Sequence, residues 1–172
     1  MITVNAHDKI ISLKGLASWR EQLRWARRTL VVTNGCFDLL HVGHVTYLEA
    51  ARNQGDVLLV GLNSDASVRA LKGKDRPVNP EQDRALLLAA LAAVDAVCIF
   101  PDARATRFLR LAQPDVYVKG GDYTLETLDP EERRSVQSAG GKIVILPLVP
   151  GKSTTDLLAR IGHLYSALGG DL

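Results

Sequence analysis

The stretch Val31 to Leu48 reads VVTNGCFDLLHVGHVTYL. Its β-branched start, Val31, Val32 and Thr33, predicts a buried strand, and Asn34-Gly35 predicts the turn that ends it. Further on, Tyr47, Leu48 and Ala51 fall at helical spacing, so a helix is expected to start near Gly43 or His44. His41 and His44 stand three residues apart at that start. Residues at i and i+3 share a helix face, so both imidazoles can point into one crevice. Gly43 removes a side chain where backbone and ligand would approach closely. A helix start also offers unpaired N–H groups and a positive dipole end, which favour phosphate. Strand, glycine turn and two neutral ring donors together describe a site that handles phosphoryl groups. Two plainer readings compete: histidines three apart arise by chance, and Cys36, His41 and His44 are all possible zinc ligands. A closed zinc site needs four ligands, and Cys98, His7 and His163 stand at no recognisable spacing, so phosphate chemistry is preferred.

The surrounding chain supplies the frame. Its 172 residues suit one domain with a real core. With 47% hydrophobic and 23% charged residues the composition is that of a soluble globular protein. The net charge of +2 gives no sign of a nucleic-acid tail or a membrane-binding surface. The opening MITVNAHDKI lacks a basic region followed by an apolar run, so no signal peptide is expected. No run approaches the ~20 apolar residues that span a bilayer. Cys36 and Cys98 need not pair, and a reducing, cytoplasmic setting is expected.

Taken in order, Leu13, Leu16, Trp19, Leu23 and Ala26 predict an amphipathic helix ending in Arg24, Arg27 and Arg28, in an N-terminal arm over residues 1–28. From residue 29 to 172 strands and helices alternate. Val57 to Asn63 reads as a strand covered on both faces, and Ser64 caps a helix through Leu71. Lys72 to Asn79 reads as a polar loop, and Pro80 and the run Ala85 to Ala93 as the next helix. Asp95 to Phe100 is a strand, Ala103 to Leu111 a helix, and Val116 to Val118 a short strand. Asp129 to Ala139 is a helix ended by Gly140-Gly141. Lys142 to Leu146 is the last strand, followed by a helix capped by Ser153 or Thr154. This alternation predicts a doubly wound (Rossmann-like) α/β fold around a parallel sheet, in a single domain, with ligands beyond the carboxyl ends of the strands. The loops holding Asn34 to His44, Lys72, Lys119 to Asp122, and Lys152 to Thr155 all follow strands and can converge there. Gly151-Lys152-Ser153 is not a P-loop, because Leu146 stands where that motif needs its first glycine. Ser153, Thr154 and Thr155 still present N–H groups at a helix start, a second cradle for phosphate.

The segment Asn34-Gly35-Cys36-Phe37-Asp38-Leu39-Leu40-His41-Val42-Gly43-His44 resembles the signature of the His-x-Gly-His nucleotidylyltransferases. Together with LNSDASVRALKGKDRPVNP, DVYVKGGDY and GKSTTDLL, it looks most like the adenylyltransferases of ADP-heptose synthesis, which act on D-glycero-beta-D-manno-heptose 1-phosphate. Those enzymes occur alone or as the second domain of bifunctional proteins. Glycerol 3-phosphate or phosphoethanolamine-type cytidylyltransferases are the runner-up. The glycerol-phosphate enzymes usually carry Arg-Thr-Glu-Gly where this chain has Leu148-Val149-Pro150-Gly151. A catalytically silent nucleotide sensor is the non-enzymatic alternative.

The resemblance implies that a sugar 1-phosphate attacks the α-phosphorus of ATP and expels pyrophosphate, with Mg2+ carried mainly by the nucleotide. It implies that His41 and His44 donate to α- and β-phosphate oxygens and that Lys72 balances charge between donor and acceptor. Cys36 and Phe37 would contact the nucleotide through their backbone, with Lys119 nearby and Ser153, Thr154 and Thr155 holding the triphosphate. Asp122 would bind sugar or ribose hydroxyls. It also implies a homodimer, and neither nucleic acid nor membrane as a partner.

Overall fold

The computed structural model describes residues 5–121, 123–147 and 150–168. Five parallel strands form one sheet: β1 (Leu30–Gly35), β2 (Val57–Asn63), β3 (Ala96–Phe100), β4 (Val116–Gly120) and β5 (Lys142–Leu146), in the order β3-β2-β1-β4-β5. The helices are α1 (Leu16–Trp25), which precedes β1, then α2 (Val42–Arg52), α3 (Asp65–Lys72), α4 (Glu81–Ala89), α5 (Thr106–Ala112) and α6 (Pro130–Ser138) between the strands, and α7 (Thr154–Ala167) after β5. The expected doubly wound parallel sheet is what the chain forms.

Successive side chains along a strand point to opposite faces, and here both faces are covered, which is why the strands read as near-continuous apolar runs. Val32, Leu59 and Tyr117 face one layer with Leu16 of α1, Phe108 and Leu109 of α5 and Val136 of α6. Val31, Leu58, Val60 and Val118 face the other, with Leu48 and Ala51 of α2 and Leu88 and Ala89 of α4. Among the described residues no helix is long and apolar enough to cross a membrane.

Several element boundaries differ from the sequence expectation. Helix α2 starts at Val42, with His41 as its cap, and α3 takes in Lys72 as its last residue. Helix α4 stops at Ala89, and strand β4 runs on past Val118 because Lys119 and Gly120 pair with Ile145 and Leu146 of β5. Lysine and glycine are poor strand formers, so tertiary pairing overrides local preference there. The N-terminal segment, without pattern in the sequence, forms a 3-10 turn over Ala6–Lys9 and a parallel bridge from Ile10 to Val97 beside β3.

Strand order determines where a ligand can sit. The chain steps outward from β1 to β2 and β3, then returns to the other side of β1 for β4 and β5. Connections leave β1 and β4 in opposite directions, and the crevice where the winding reverses is the place for a ligand.

The core is filled to contact at Gly61 in β2, where a Cβ would lie 2.5 Å from Cε1 of the buried Phe108 ring. That ring stacks on Phe100 at a centroid separation of 5.2 Å. Gly61→Ala is therefore expected to cost about 1–3 kcal/mol through overpacking. Denaturant unfolding should show this as a lower midpoint at unchanged slope, and an unchanged midpoint would contradict it.

Candidate active site

Beyond the carboxyl ends of β1 and β4 lies a crevice of about 830 Å³. His41, His44, Lys72, Cys36, Phe37, Lys119, Ser153, Thr154 and Thr155 all line it. Asp122 and the segment Leu148-Val149 lie outside the described residues.

The two imidazoles stack, with ring centroids 3.9 Å apart and planes 27° from parallel. The backbone N–H of His41 donates to Nδ1 of His44 at 3.4 Å. A backbone N–H can only donate, so Nδ1 is the bare nitrogen and Nε2 carries the proton. His44 thus keeps an Nε2–H donor. Its pKa is pushed down from 6.5 to about 4, first by burial and then by the neighbouring His41 and Lys72. Burial lowers His41 as well, with Asp156 opposing and Lys152 adding, and among the described residues its Nδ1 has no hydrogen-bond partner. Burial is the first cause of the His44 depression, ahead of either neighbouring charge. At Gly43 a Cβ would lie 3.0 Å from the His41 ring and 3.0 Å from Cβ of Lys152. This glycine therefore admits the chain entering α7, and Ser153 caps that helix by accepting from the Asp156 N–H at 3.0 Å.

The loop between β1 and α2 is held by residues that sequence patterns did not single out. The Asp38 carboxylate, 3% exposed as a residue, accepts from Arg76 Nε at 2.5 Å and from the N–H groups of Val78 and Asn79 at 2.7 and 3.2 Å. Burial raises its pKa, but those donors outweigh it and hold the carboxyl below its ordinary value. Arg84 of α4 donates to the carbonyls of Cys36 and Asn79 and to Asp65. A charged residue within a run such as EQDRALLLAA reads as a solvated helix face, which is why Arg84 escaped notice. The spacing of RPVN after LKGKD was the available signal for Arg76 and Asn79.

On the β4 side, Lys119 is 7% exposed, and its ammonium donates to Asn34 Oδ1 at 3.3 Å and lies 4.3 Å from the Tyr123 ring. Burial lowers its pKa while Glu132 and Cys36 oppose. The Tyr117 hydroxyl is 2.6 Å from Asn34 Oδ1 and 3.0 Å from Glu132 Oε2. Glu132 also accepts from the Ala105 N–H at 2.8 Å. All three carboxylates lining the crevice among the described residues are thus engaged: Asp38, Glu132, and Asp129, which caps α6 and pairs with Arg104. Lys72, Lys119 and Lys152 form no ion pair among those residues, so the crevice is electropositive. Cys36 is a free thiol with its pKa raised by burial, against Lys72 and Arg84. Among the described residues no three His, Cys, Asp or Glu side chains gather as a protein-held metal ion would require.

Comparison with known proteins gives consistent matches. The family model described as cytidylyltransferase-like matches residues 32–157. The bifunctional protein HldE of Syntrophotalea carbinolica is 50% identical over 162 residues, covering 92% of this chain and 32% of that protein. HldE of Geotalea uraniireducens is 51% identical over 153 residues, 89% of this chain and 31% of that one. The chain thus spans about a third of the length of the curated relatives it matches. Among solved structures, a lipopolysaccharide core biosynthesis protein from Thermoplasma volcanium superposes with a TM-score of 0.58 at 28% identity, covering 71% of this chain and 97% of that one. Pantoate-beta-alanine ligase from Francisella tularensis, complexed with beta-gamma ATP and beta-alanine, shares the fold at 16% identity, with a TM-score of 0.56 over 94% of this chain and 79% of that one.

The buried His44 gives a pH signature. Above pH 6.5 neither folded nor unfolded chain protonates this ring; between 6.5 and about 4 the unfolded chain binds a proton that the folded one refuses. Stability should therefore fall as pH is lowered through that window. Subtracting the pH profile of His44→Asn from that of the parent should isolate this slope, and ring NMR should show His44 neutral to about pH 4. A ring titrating near 6.5 would contradict the geometry.

Proposed function

The chain belongs to the cytidylyltransferase-like family, and on that premise we propose that it is an adenylyltransferase making ADP-heptose from ATP and D-glycero-beta-D-manno-heptose 1-phosphate. One observation carries the reading. A single electropositive crevice brings the protonated Nε2 of His44, Lys72, Lys119 and the start of α7 together, while its one thiol, Cys36, is held neutral by burial. Such a site suits direct displacement without a covalent enzyme intermediate.

In the proposed reaction an oxygen of the sugar phosphate attacks the α-phosphorus. A new P–O bond forms, the bond to the β-phosphate oxygen breaks, and pyrophosphate leaves. His41 and His44 donate to α- and β-phosphate oxygens, strengthening as charge moves to the leaving group. Lys72, on the last turn of α3, balances charge between acceptor and donor phosphates, and Lys119 does so at the floor. Backbone groups of Cys36 and Phe37, with Ser153, Thr154 and Thr155, hold the nucleotide. Asp122 is assigned to sugar or ribose hydroxyls on resemblance alone. Mg2+ fits as a companion of the nucleotide, since it keeps waters and binds substrate phosphates; it neutralises the triphosphate when bound.

The heptose acceptor is supported by the bifunctional HldE relatives at about half identity and by the lipopolysaccharide core biosynthesis protein among the structural neighbours. A homodimer and a cytoplasmic setting belong to the same proposal. Helix α7 leaves Ile161, Leu164 and Tyr165 exposed on one side, a face that a second copy could cover.

A matrix of ATP and CTP against heptose 1-phosphate, glycerol 3-phosphate and phosphoethanolamine, read by pyrophosphate release, tests the substrate assignment. ATP with the heptose phosphate should be the fastest pair; faster turnover of CTP with glycerol 3-phosphate would sink it. No release from any pair would leave the silent sensor.

Two variants test the roles. His44→Asn should lower turnover by ~10²–10³, the usual effect of removing one preorganised donor, while ATP binding changes far less. Lys72→Ala should lower turnover with stability altered by no more than roughly ±0.5 kcal/mol, as for an exposed residue. Normal rates per folded molecule in either variant would remove that residue from the mechanism.

A further inference from the structure

Arg84 is a fully buried cation, 0% exposed, that serves three separate segments. Its Nη1 donates to the Cys36 carbonyl at 2.5 Å, its Nε to the Asn79 carbonyl at 3.0 Å and its Nη2 to Asp65 Oδ1 at 2.7 Å. Cys36 belongs to the loop leading from β1 to the histidines. Asn79 closes the loop of residues 73–79, and Asp65 opens α3, which ends at Lys72. Burying a guanidinium is costly, and well-packed apolar side chains commonly serve stability as well or better. What an apolar residue of equal volume cannot do is fix two carbonyls and a carboxylate in one plane. The same loop is gripped from its other side by Asp38, two residues beyond Cys36, through Arg76, Val78 and Asn79.

We infer that Arg84 is a positioning residue that locks residues 73–79 and Lys72 in place relative to His41 and His44. Its effect on rate rests on the nucleotidyl-transfer reading; its effect on the loop does not. The planar fork is essential to this role. A lysine keeps the charge and the Asp65 partner, but its donors radiate from one point and cannot meet three acceptors spaced around a guanidinium.

Arg84→Met and Arg84→Lys, made in the full chain, test the inference by two readouts. The first is amide hydrogen exchange of peptides covering residues 73–80, compared with β2. Exchange at 76–79 is expected to speed up by about tenfold or more in both variants while β2 is unchanged, the pattern of a local opening. The second is pyrophosphate release resolved into kcat and KM. A fall in kcat of about tenfold or more is expected, since small misplacements of reacting groups cost up to ~10²-fold, with KM for ATP changed by less than about threefold. Wild-type exchange in either variant would overturn the inference. So would acceleration spread equally over β2, a freed loop with unchanged kcat, or failure of both variants to fold, which would make Arg84 a general structural residue. If the parent protein releases no pyrophosphate, the functional reading falls, and the exchange comparison alone decides the anchoring.

Discussion

The backbone between β1 and α2 belongs to neither a ladder nor a helix, and the rest of the site is arranged around satisfying it. Buried backbone groups without partners are costly, so each must be met by a side chain from elsewhere. The Cys36 carbonyl is met by Arg84 from α4, the Asp38 carbonyl by the Asn79 amide, and the His41 N–H by the His44 ring. Phe37 holds a left-handed φ of 42°, uncommon outside glycine, and its ring fills the space beside Gly35. The loop is therefore tied to α4, to the 73–79 segment and to α2 at once, and groups distant in sequence acquire fixed separations.

Those ties decide the charge of the crevice. Every described carboxylate on its wall is engaged by a protein donor, and among the described residues Lys72, Lys119 and Lys152 form no ion pair. Like charges repel more strongly in a partly buried site than in bulk water. Lys72 beside His44 accordingly favours the neutral ring, as burial already does. The lysines and the neutral rings together form a wall whose charge complements a polyanion. A neutral donor suits this place better than an imidazolium, because it hydrogen-bonds phosphate without adding another charge to be desolvated.

Much of this was legible in the sequence because it depended on local chemistry. The strand over Val31 to Thr33, the turn at Asn34-Gly35, the histidine spacing and the cap at Ser153 are short-range signals, and they gave the order of elements and most of the crevice lining. What escaped depended on partners far along the chain. Lys119 read as a loop residue because its strand pairing lies with Ile145. Helix α2 starts earlier than its apolar pattern suggested, since the His44 ring caps the His41 N–H and draws that residue into the helix start. Arg84 and Glu132 sit on helices with many charges, and no periodicity distinguishes a buried ion from a solvated one. Tertiary hydrogen bonds, reaching 48 residues from Arg84 to Cys36, make that distinction.

The two ends of the sheet show why an anion belongs at one and not the other. Parallel strands all begin on the same side, and there the chain supplies its own carboxylates. Asp56 accepts from the Thr29 N–H, Asp115 from Leu30 and Asp95 from Leu58. Arg20 and Arg52 in turn pair with Asp115 and Asp95. On the opposite side helix N-termini accumulate, each with a positive end to be satisfied. Helices α3, α6 and α7 satisfy theirs with the oxygens of Ser64, Asp129 and Ser153. Helix α2 begins instead on His41, an imidazole whose Nδ1 has no hydrogen-bond partner among the described residues, at the wall where Lys72, Lys119 and Lys152 also gather. The protein neutralises its amino edge with internal acids and leaves the carboxyl edge to a ligand. A phosphate chain is the ligand whose oxygens would complete it.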